Sequence, residues 1–181
     1  MHFSELFTHC PACGSPLFNQ NNVKSKRCQD CGFVYYVNAS AAVAAFILND
    51  SGDLLVCRRG KDPEKGTLDL PGGFVDDNET AEEAMKREIS EELQVDATYA
   101  EYIFSLPNLY EYAGMTVPTL DIFFKCRLDN TKHLQPSDDV ADCFFVPLNK
   151  IDTELFGLKS IKKGVKMFLE MTLKEAPYPF M

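Results

Sequence analysis

Three glutamates, Glu88, Glu91 and Glu92, stand three and four residues apart. On a helix that spacing gathers their side chains onto one patch. Three carboxylates so placed repel one another unless a cation lies among them. Oxygen donors of this kind suit Mg2+ or Mn2+, and Mg2+ keeps coordination positions open for phosphate oxygens. The local sequence supports the helix. Thr80 followed by Glu83 is a capping box, so a helix is expected from Thr80 to Leu93. At about 100° per residue, Glu82, Glu83, Lys86 and Ser90 share a polar side, while Ala81, Ala84, Met85 and Ile89 share an apolar one. Glu88 and Glu92 fall among the apolar positions, Glu91 falls beside Ala84, and Arg87 lies next to Glu91. A charge run ordinarily marks a solvated face. Carboxylates on an inward stripe must instead be neutralised or bound to something.

A second group is Cys10, Cys13, Cys28 and Cys31, two CxxC pairs separated by 14 residues, each followed by Gly. Four thiolates in a tetrahedron suit a closed, structural Zn2+ site with no position left for catalysis. A segment of this size has too little core to fold alone, so bound metal would supply its stability. The pattern resembles a zinc ribbon. Cys57, Cys126 and Cys143 lie in apolar stretches and read as small buried hydrophobes.

Two parts position these groups: a cysteine-rich part, residues 1–37, and a larger part, residues 38–181. Ala41–Leu48 reads as a buried strand, followed by a turn at Asn49–Gly52 and a returning strand at Asp53–Arg58. Further strands are expected at 98–105, 109–112, 120–128 and 141–146, and further helices at 148–155 and 160–174. Interleaved strands and helices give an α/β or α+β class with a mixed sheet covered by helices. The net charge of −9 falls in the larger part. Residues 1–37 carry Lys24, Lys26 and Arg27 against Glu5 and Asp30. An acidic domain repels polyphosphate backbones unless cations mediate, which argues against general nucleic-acid binding. No apolar run is long enough to span a membrane, and residues 1–10 lack a signal-peptide pattern, so a cytoplasmic location is expected.

The segment from Gly73 through Glu79, Arg87, Glu88, Ile89, Glu91 and Glu92 to Val95 is similar to the Nudix signature, Gly-x5-Glu-x7-Arg-Glu-U-x-Glu-Glu-x-Gly-U, where U is a bulky aliphatic residue. Pro71-Gly72-Gly73 before it, and the stretch from Asp138 to Leu148, also resemble that family. The likeness covers roughly residues 38–160. Gln94 stands where the family has its second glycine, and Asn78 where glycine is frequent. In the family that second glycine ends the helix in a left-handed turn, which Gln adopts less readily; Asn tolerates such conformations.

The resemblance implies an α/β/α sandwich preceded by a small zinc ribbon. It implies that Glu88, Glu91, Glu92 and the Gly72 carbonyl hold Mg2+ (or Mn2+), that Arg87 orients the carboxylates, and that Glu79 anchors the loop. The general base is then a glutamate of the signature or a later acid, Asp138 or Asp139. Phe74 and Tyr110 are candidates to stack on a base. The implied activity is hydrolysis of a diphosphate bond in a nucleoside diphosphate linked to another group, with ADP-ribose, dinucleotides or nucleoside triphosphates as the substrate class. A zinc ribbon before a Nudix domain resembles the NADH pyrophosphatase branch. That branch's Ser-Gln-Pro-Trp-Pro-Phe-Pro-x-Ser element is matched only in fragments by Ser105–Tyr110, and the chain has no Trp. The alternatives are therefore NADH pyrophosphatase itself, or a catalytically silent sensor that uses the ribbon for a partner. The ribbon is expected either to brace the larger domain or to form a homodimer.

Overall fold

Ser40–Ile47 carries apolar residues at almost every position, so as a strand it must be covered on both faces. In the computed structural model, which describes residues 3–112 and 114–174, this strand is β4 of nine. Val43, Ala45 and Ile47 face one core with Leu55, Cys57, Phe124 and Cys126, and with Ala84, Met85, Ile89 and Leu93 of α2 (Ala81–Leu93). Ala44 and Phe46 face a second core with Leu54, Val56 and Phe123, and with Val165 and Phe168 of α3 (Lys159–Lys174). Strand alternation thus places one helix on each side of the β layer, the expected sandwich. Phe46 stacks on Phe168 with ring centroids 4.1 Å apart. Truncating either ring would cost about 3–5 kcal/mol.

Two compact units divide the chain: Met1–Ser40 with Leu109–Thr119, and Ala41–Asn108 with Leu120–Met181. The first holds a single helical turn, α1 (Phe3–Leu6), and an antiparallel sheet of β1 (Phe18–Asn22), β2 (Ser25–Cys28) and β3 (Val34–Tyr36), in that order. The remaining strands form two sheets. One has the order β4 (Ser40–Ile47), β8 (Met115–Leu128), β7 (Ala97–Tyr112). The other has the order β6 (Leu68–Asp69), β5 (Leu54–Arg59), β9 (Val140–Val146). The helices are α2 (Ala81–Leu93) and α3 (Lys159–Lys174).

Three sequence expectations change. The hairpin from β4 to β5 is limited to the Leu48–Leu54 bridge. Beyond it the strands part, because β4 pairs with β8 while β5 pairs with β6 and β9. The strands expected at 98–105 and 109–112 are one strand, β7, which runs through Pro107. The helix expected at 148–155 is two short 3-10 turns, Leu148–Lys150 and Thr153–Leu155. Asp152 lies between them and accepts a hydrogen bond from the Glu154 amide, 2.9 Å. Such side-chain capping competes with continuous helix. Among the described residues, no helix is long and apolar enough to cross a membrane.

Candidate active site

The helix that carries the glutamates begins and ends as its sequence requires. Thr80 is the N-cap: its hydroxyl accepts from the Glu83 amide, 3.2 Å, and Glu83 accepts from the Thr80 amide, 2.8 Å. Gln94 ends α2 with φ 57° in the left-handed region, the conformation that disfavours Gln. Its side-chain amide offsets this by donating to the Ser90 and Glu91 carbonyls, 3.3 and 3.0 Å. Asn78 likewise has φ 63°.

Pro71–Val75 lies along β4. Ala45 N–H donates to the Pro71 carbonyl, 2.9 Å, Val43 N–H to that of Gly73, 2.8 Å, and Val75 N–H to that of Ala41, 3.0 Å. Gly72, with φ 150°, sits so close to β4 that a Cβ there would overlap the Val43 carbonyl oxygen. Its N–H points the other way and donates to Glu92 Oε2, 2.9 Å. A Cβ on Gly73 would overlap the Glu88 carboxylate. Both glycines are therefore needed for closeness, one to the backbone of β4 and one to a glutamate of α2.

Glu92 is only 6% exposed. Burial pushes its carboxyl well above the ordinary glutamate range; the Gly72 amide lowers it, and the charges of Glu88, Asp69 and Asp139 raise it. Glu88 is raised chiefly by burial, against the pull of Arg87. Arg87 is the hub. Its Nε and Nη2 form a fork on Glu79, 2.9 and 3.0 Å. Its Nη1 reaches Glu88, 2.8 Å, and Glu91, 3.0 Å, and Nη2 also donates to the Phe74 carbonyl, 2.9 Å. Glu79 is held below its ordinary range by Arg87 and also accepts from the Asp76 amide, 3.1 Å. Glu91 is half exposed, at the rim of the group. The Phe74 ring is exposed. Tyr110 belongs to the first unit.

Asp138 and Asp139 lie on the loop that follows β8. Ser137 N–H donates to the Glu92 carbonyl, 2.9 Å, and Gln135 N–H to that of Leu93, 3.0 Å. The loop is thereby tied to the end of α2. Two further groups escaped the sequence reading. Lys61 is ion-paired with both aspartates, and its sequence gives no local sign of this. Arg59 pairs with Asp69 at 2.5 Å, and Asp69 also accepts from the Leu70 amide, 2.8 Å. An acid between two leucines just before Pro71 was the available signal for that pair.

Arg87 brings one positive charge to a group of four acids, Glu79, Glu88, Glu91 and Glu92, and bonds the first three. The group therefore carries more negative charge than the site neutralises, and Glu88 and Glu92 are largely removed from water. A divalent cation fits this donor set. The carboxylates are spread between Arg87 and the Gly72 amide. Among the described residues, only the four-cysteine group has its ligand atoms gathered within 4.8 Å.

In the first unit, Cys10, Cys13, Cys28 and Cys31 form two equivalent turns. Gly14 N–H donates to the Cys10 carbonyl, 2.8 Å, and Gly32 N–H to that of Cys28, 3.1 Å. Cys10 N–H donates to Ser15 and Cys28 N–H to Phe33, 2.8 and 2.9 Å. The Sγ separations are 3.7 Å (Cys10–Cys31) and 3.6 Å (Cys13–Cys28). A tetrahedron with Zn–S near 2.3 Å has edges of about 3.8 Å, so Zn2+ fits. The thiols titrate together: Cys28 is pushed down to about 6, first by the Cys31 amide, while Cys13 is pushed up to about 12 and Cys31 is raised as they share protons with their neighbours, so the group releases its protons together when a metal binds. Cys57 and Cys126 are buried, and Cys143 is partly buried.

The NUDIX domain family profile matches residues 39–166, and the chain belongs to that family. The NAD-capped RNA hydrolase NudC of Deinococcus radiodurans is 30% identical over 121 residues, 66% of this chain and 43% of that protein. An ADP-ribose pyrophosphatase of Methanocaldococcus jannaschii is 47% identical over 57 residues, 32% of this chain and 33% of that protein. The chain spans less than half the length of the curated relatives it matches. In fold it is similar to the crystal structure of a NUDIX hydrolase from Nitrosomonas europaea, with TM-score 0.72 and 20% identity over 94% of each chain. It is also similar to the NUDIX domain of Shewanella oneidensis NrtR complexed with ADP ribose, with TM-score 0.58 and 20% identity over 77% of this chain and 90% of that one.

Proposed function

We propose that the protein is a Mg2+- or Mn2+-dependent hydrolase that opens the diphosphate bond of a small nucleotide in which a nucleoside diphosphate is joined to another group. The observation that carries this reading is Glu92: a buried carboxylate on the apolar stripe of α2, hydrogen-bonded to the Gly72 amide, with Glu88 one turn before it. Such a group needs a cation more than its surroundings supply. NAD and ADP-ribose, named for the relatives, both contain a diphosphate between two riboses, which supports that substrate class.

Glu88, Glu91 and Glu92 would hold the divalent ion, with the Gly72 carbonyl as a further donor. The bound ion supplies Lewis acidity, polarising the diphosphate and acidifying a water. Arg87, oriented by the Glu79 fork, sets the directions of Glu88 and Glu91. Asp138 or Asp139, on the loop tied to Glu92, is the candidate to accept the water proton, with Glu88 as the other. Phe74, whose ring is exposed and whose carbonyl accepts from Arg87, is the candidate base-stacking residue. We assign residues 1–37 as a module stabilised by a structural Zn2+ and residues 38–181 as the hydrolase domain.

The test is incubation of the zinc-loaded protein with Mg2+ and a panel of ADP-ribose, NAD, NADH, diadenosine polyphosphates, nucleotide sugars and nucleoside triphosphates. Products are identified by mass. Release of a nucleoside monophosphate from a member of the panel is expected. No cleavage of any member by folded protein contradicts the proposal.

A further inference from the structure

Lys61 opens the polar loop after β5. Its ammonium lies 3.0 Å from Asp138 Oδ1 and also contacts the Asp139 carboxylate, residues more than seventy positions later in the chain. These aspartates sit on a turn closed by Val140 N–H donating to the Ser137 carbonyl, 3.0 Å. That turn is costly in two ways. Asp138 has φ 51°, a left-handed conformation that L side chains disfavour, and two like charges are adjacent.

Three contacts counter these costs. Gly60 N–H donates to the Asp139 carbonyl, 2.7 Å, at an approach so close that a Cβ on Gly60 would stand 3.0 Å from the same oxygen. Ser137 N–H reaches the Glu92 carbonyl, 2.9 Å. Lys61 supplies the positive charge. The aspartates in turn hold the lysine protonated, pushing it up to about 12. The loop after β5, the Asp138–Asp139 turn and the end of α2 are therefore one connected frame.

We propose that Lys61 is a positioning residue: a latch from the loop after β5 that holds the Asp138–Asp139 turn, the candidate source of the general base, against the end of α2. It acts through the aspartates and not on the substrate. Its effect on turnover rests on the hydrolase reading; its effect on the turn does not. The Lys61 side chain is 60% exposed, and exposed ion pairs contribute little to global stability, so its variants fold.

The test uses the full zinc-loaded chain as wild type, Lys61→Met and Lys61→Arg. The first arm is hydrogen–deuterium exchange across residues 135–140 without added divalent metal. Lys61→Met is expected to speed exchange there by about tenfold, and Lys61→Arg to restore protection. Unchanged exchange in Lys61→Met overturns the latch whatever the activity. The second arm is steady-state kinetics with Mg2+ on a nucleotide that the wild type cleaves. Because small displacements near reacting groups cost on the order of 10- to 100-fold in rate, Lys61→Met is expected to lose about tenfold in kcat with KM nearly unchanged, and Lys61→Arg to recover it. A raised KM with unchanged kcat would place Lys61 on the substrate and overturn the positioning role. A wild type that cleaves nothing refutes the hydrolase reading, and the exchange arm then decides the latch alone.

Discussion

Gly72 and Gly73 are neighbours, yet alanine at each should fail differently. At Gly72 the added Cβ meets backbone, the Val43 carbonyl and the Ala44 Cα at 2.9 Å, and φ is 150°. Neither strand nor loop can turn aside as a side chain can. The loop must leave β4, weakening the hydrogen bonds from Val43 N–H to Gly73 and from Ala45 N–H to Pro71. Two such bonds at about 1 kcal/mol each, with backbone strain of about 1–3 kcal/mol, give roughly 3–5 kcal/mol lost. For a chain of this size that lowers Tm by roughly 6–20 °C. At Gly73 the atoms nearest the Cβ all belong to the Glu88 carboxylate, the far end of a flexible side chain. Glu88 swings aside, its hydrogen bond from Arg87 weakens, and stability falls by about 1 kcal/mol or less. Metal binding is expected to suffer instead, because one proposed ligand is displaced. The assays are thermal unfolding of the zinc-loaded protein without Mg2+, and the Mg2+ concentration that half-saturates turnover. Gly72→Ala should lose Tm. Gly73→Ala should keep Tm and need at least tenfold more Mg2+. Equal Tm losses in the two variants, or an unchanged Mg2+ requirement in Gly73→Ala, would refute the reasoning.

Arg87→Lys keeps the charge but removes the fork that grips Glu79 while reaching Glu88 and Glu91; it should lower kcat by about tenfold or more, measured at saturating Mg2+. Removing zinc by chelation, or substituting Cys13→Ser, should expose residues 1–40 to proteolysis while the larger unit keeps its resistance, with one zinc per chain by elemental analysis beforehand. Glu88 and Glu92 have folded-state pKa values above their unfolded ones. The folded chain therefore binds more protons in that window. Their contribution makes stability greatest below the ordinary glutamate value of about 4.3 and lowers it as pH rises toward the folded values. Denaturant titrations without divalent metal should show that decline, and Glu92→Gln should flatten it; an equal slope in the variant contradicts the assignment to Glu92.

What was legible in the sequence was local. The capping box at Thr80–Glu83, the left-handed end at position 94 and the inward place of Glu92 follow from spacing along one helix. The cysteine knuckles were legible for the same reason, since each turn closes within five residues. The course of β4 and β5 was not, because Leu48 and Leu54 do form a bridge and only distant partners, β8 and β9, draw the strands apart. Helical periodicity after Pro147 was outweighed by Asp152 capping a short turn. Lys61 met Asp138 only through the fold, and Glu91 lay at the edge of the apolar stripe, where projection alone could not decide its half-exposure.

The role proposed for Glu92 is to serve a divalent ion that hydrolysis requires. The most direct measurement is Mn2+ binding by electron paramagnetic resonance on the zinc-loaded wild type and Glu92→Gln, paired with turnover of a nucleotide that the wild type cleaves. A Mn2+ site is expected in the wild type, with its loss or weakening by at least tenfold in the variant and a fall in kcat of at least a hundredfold, as when a group acting on the reacting atoms is removed. A variant that binds Mn2+ and turns over as the wild type does would contradict that role.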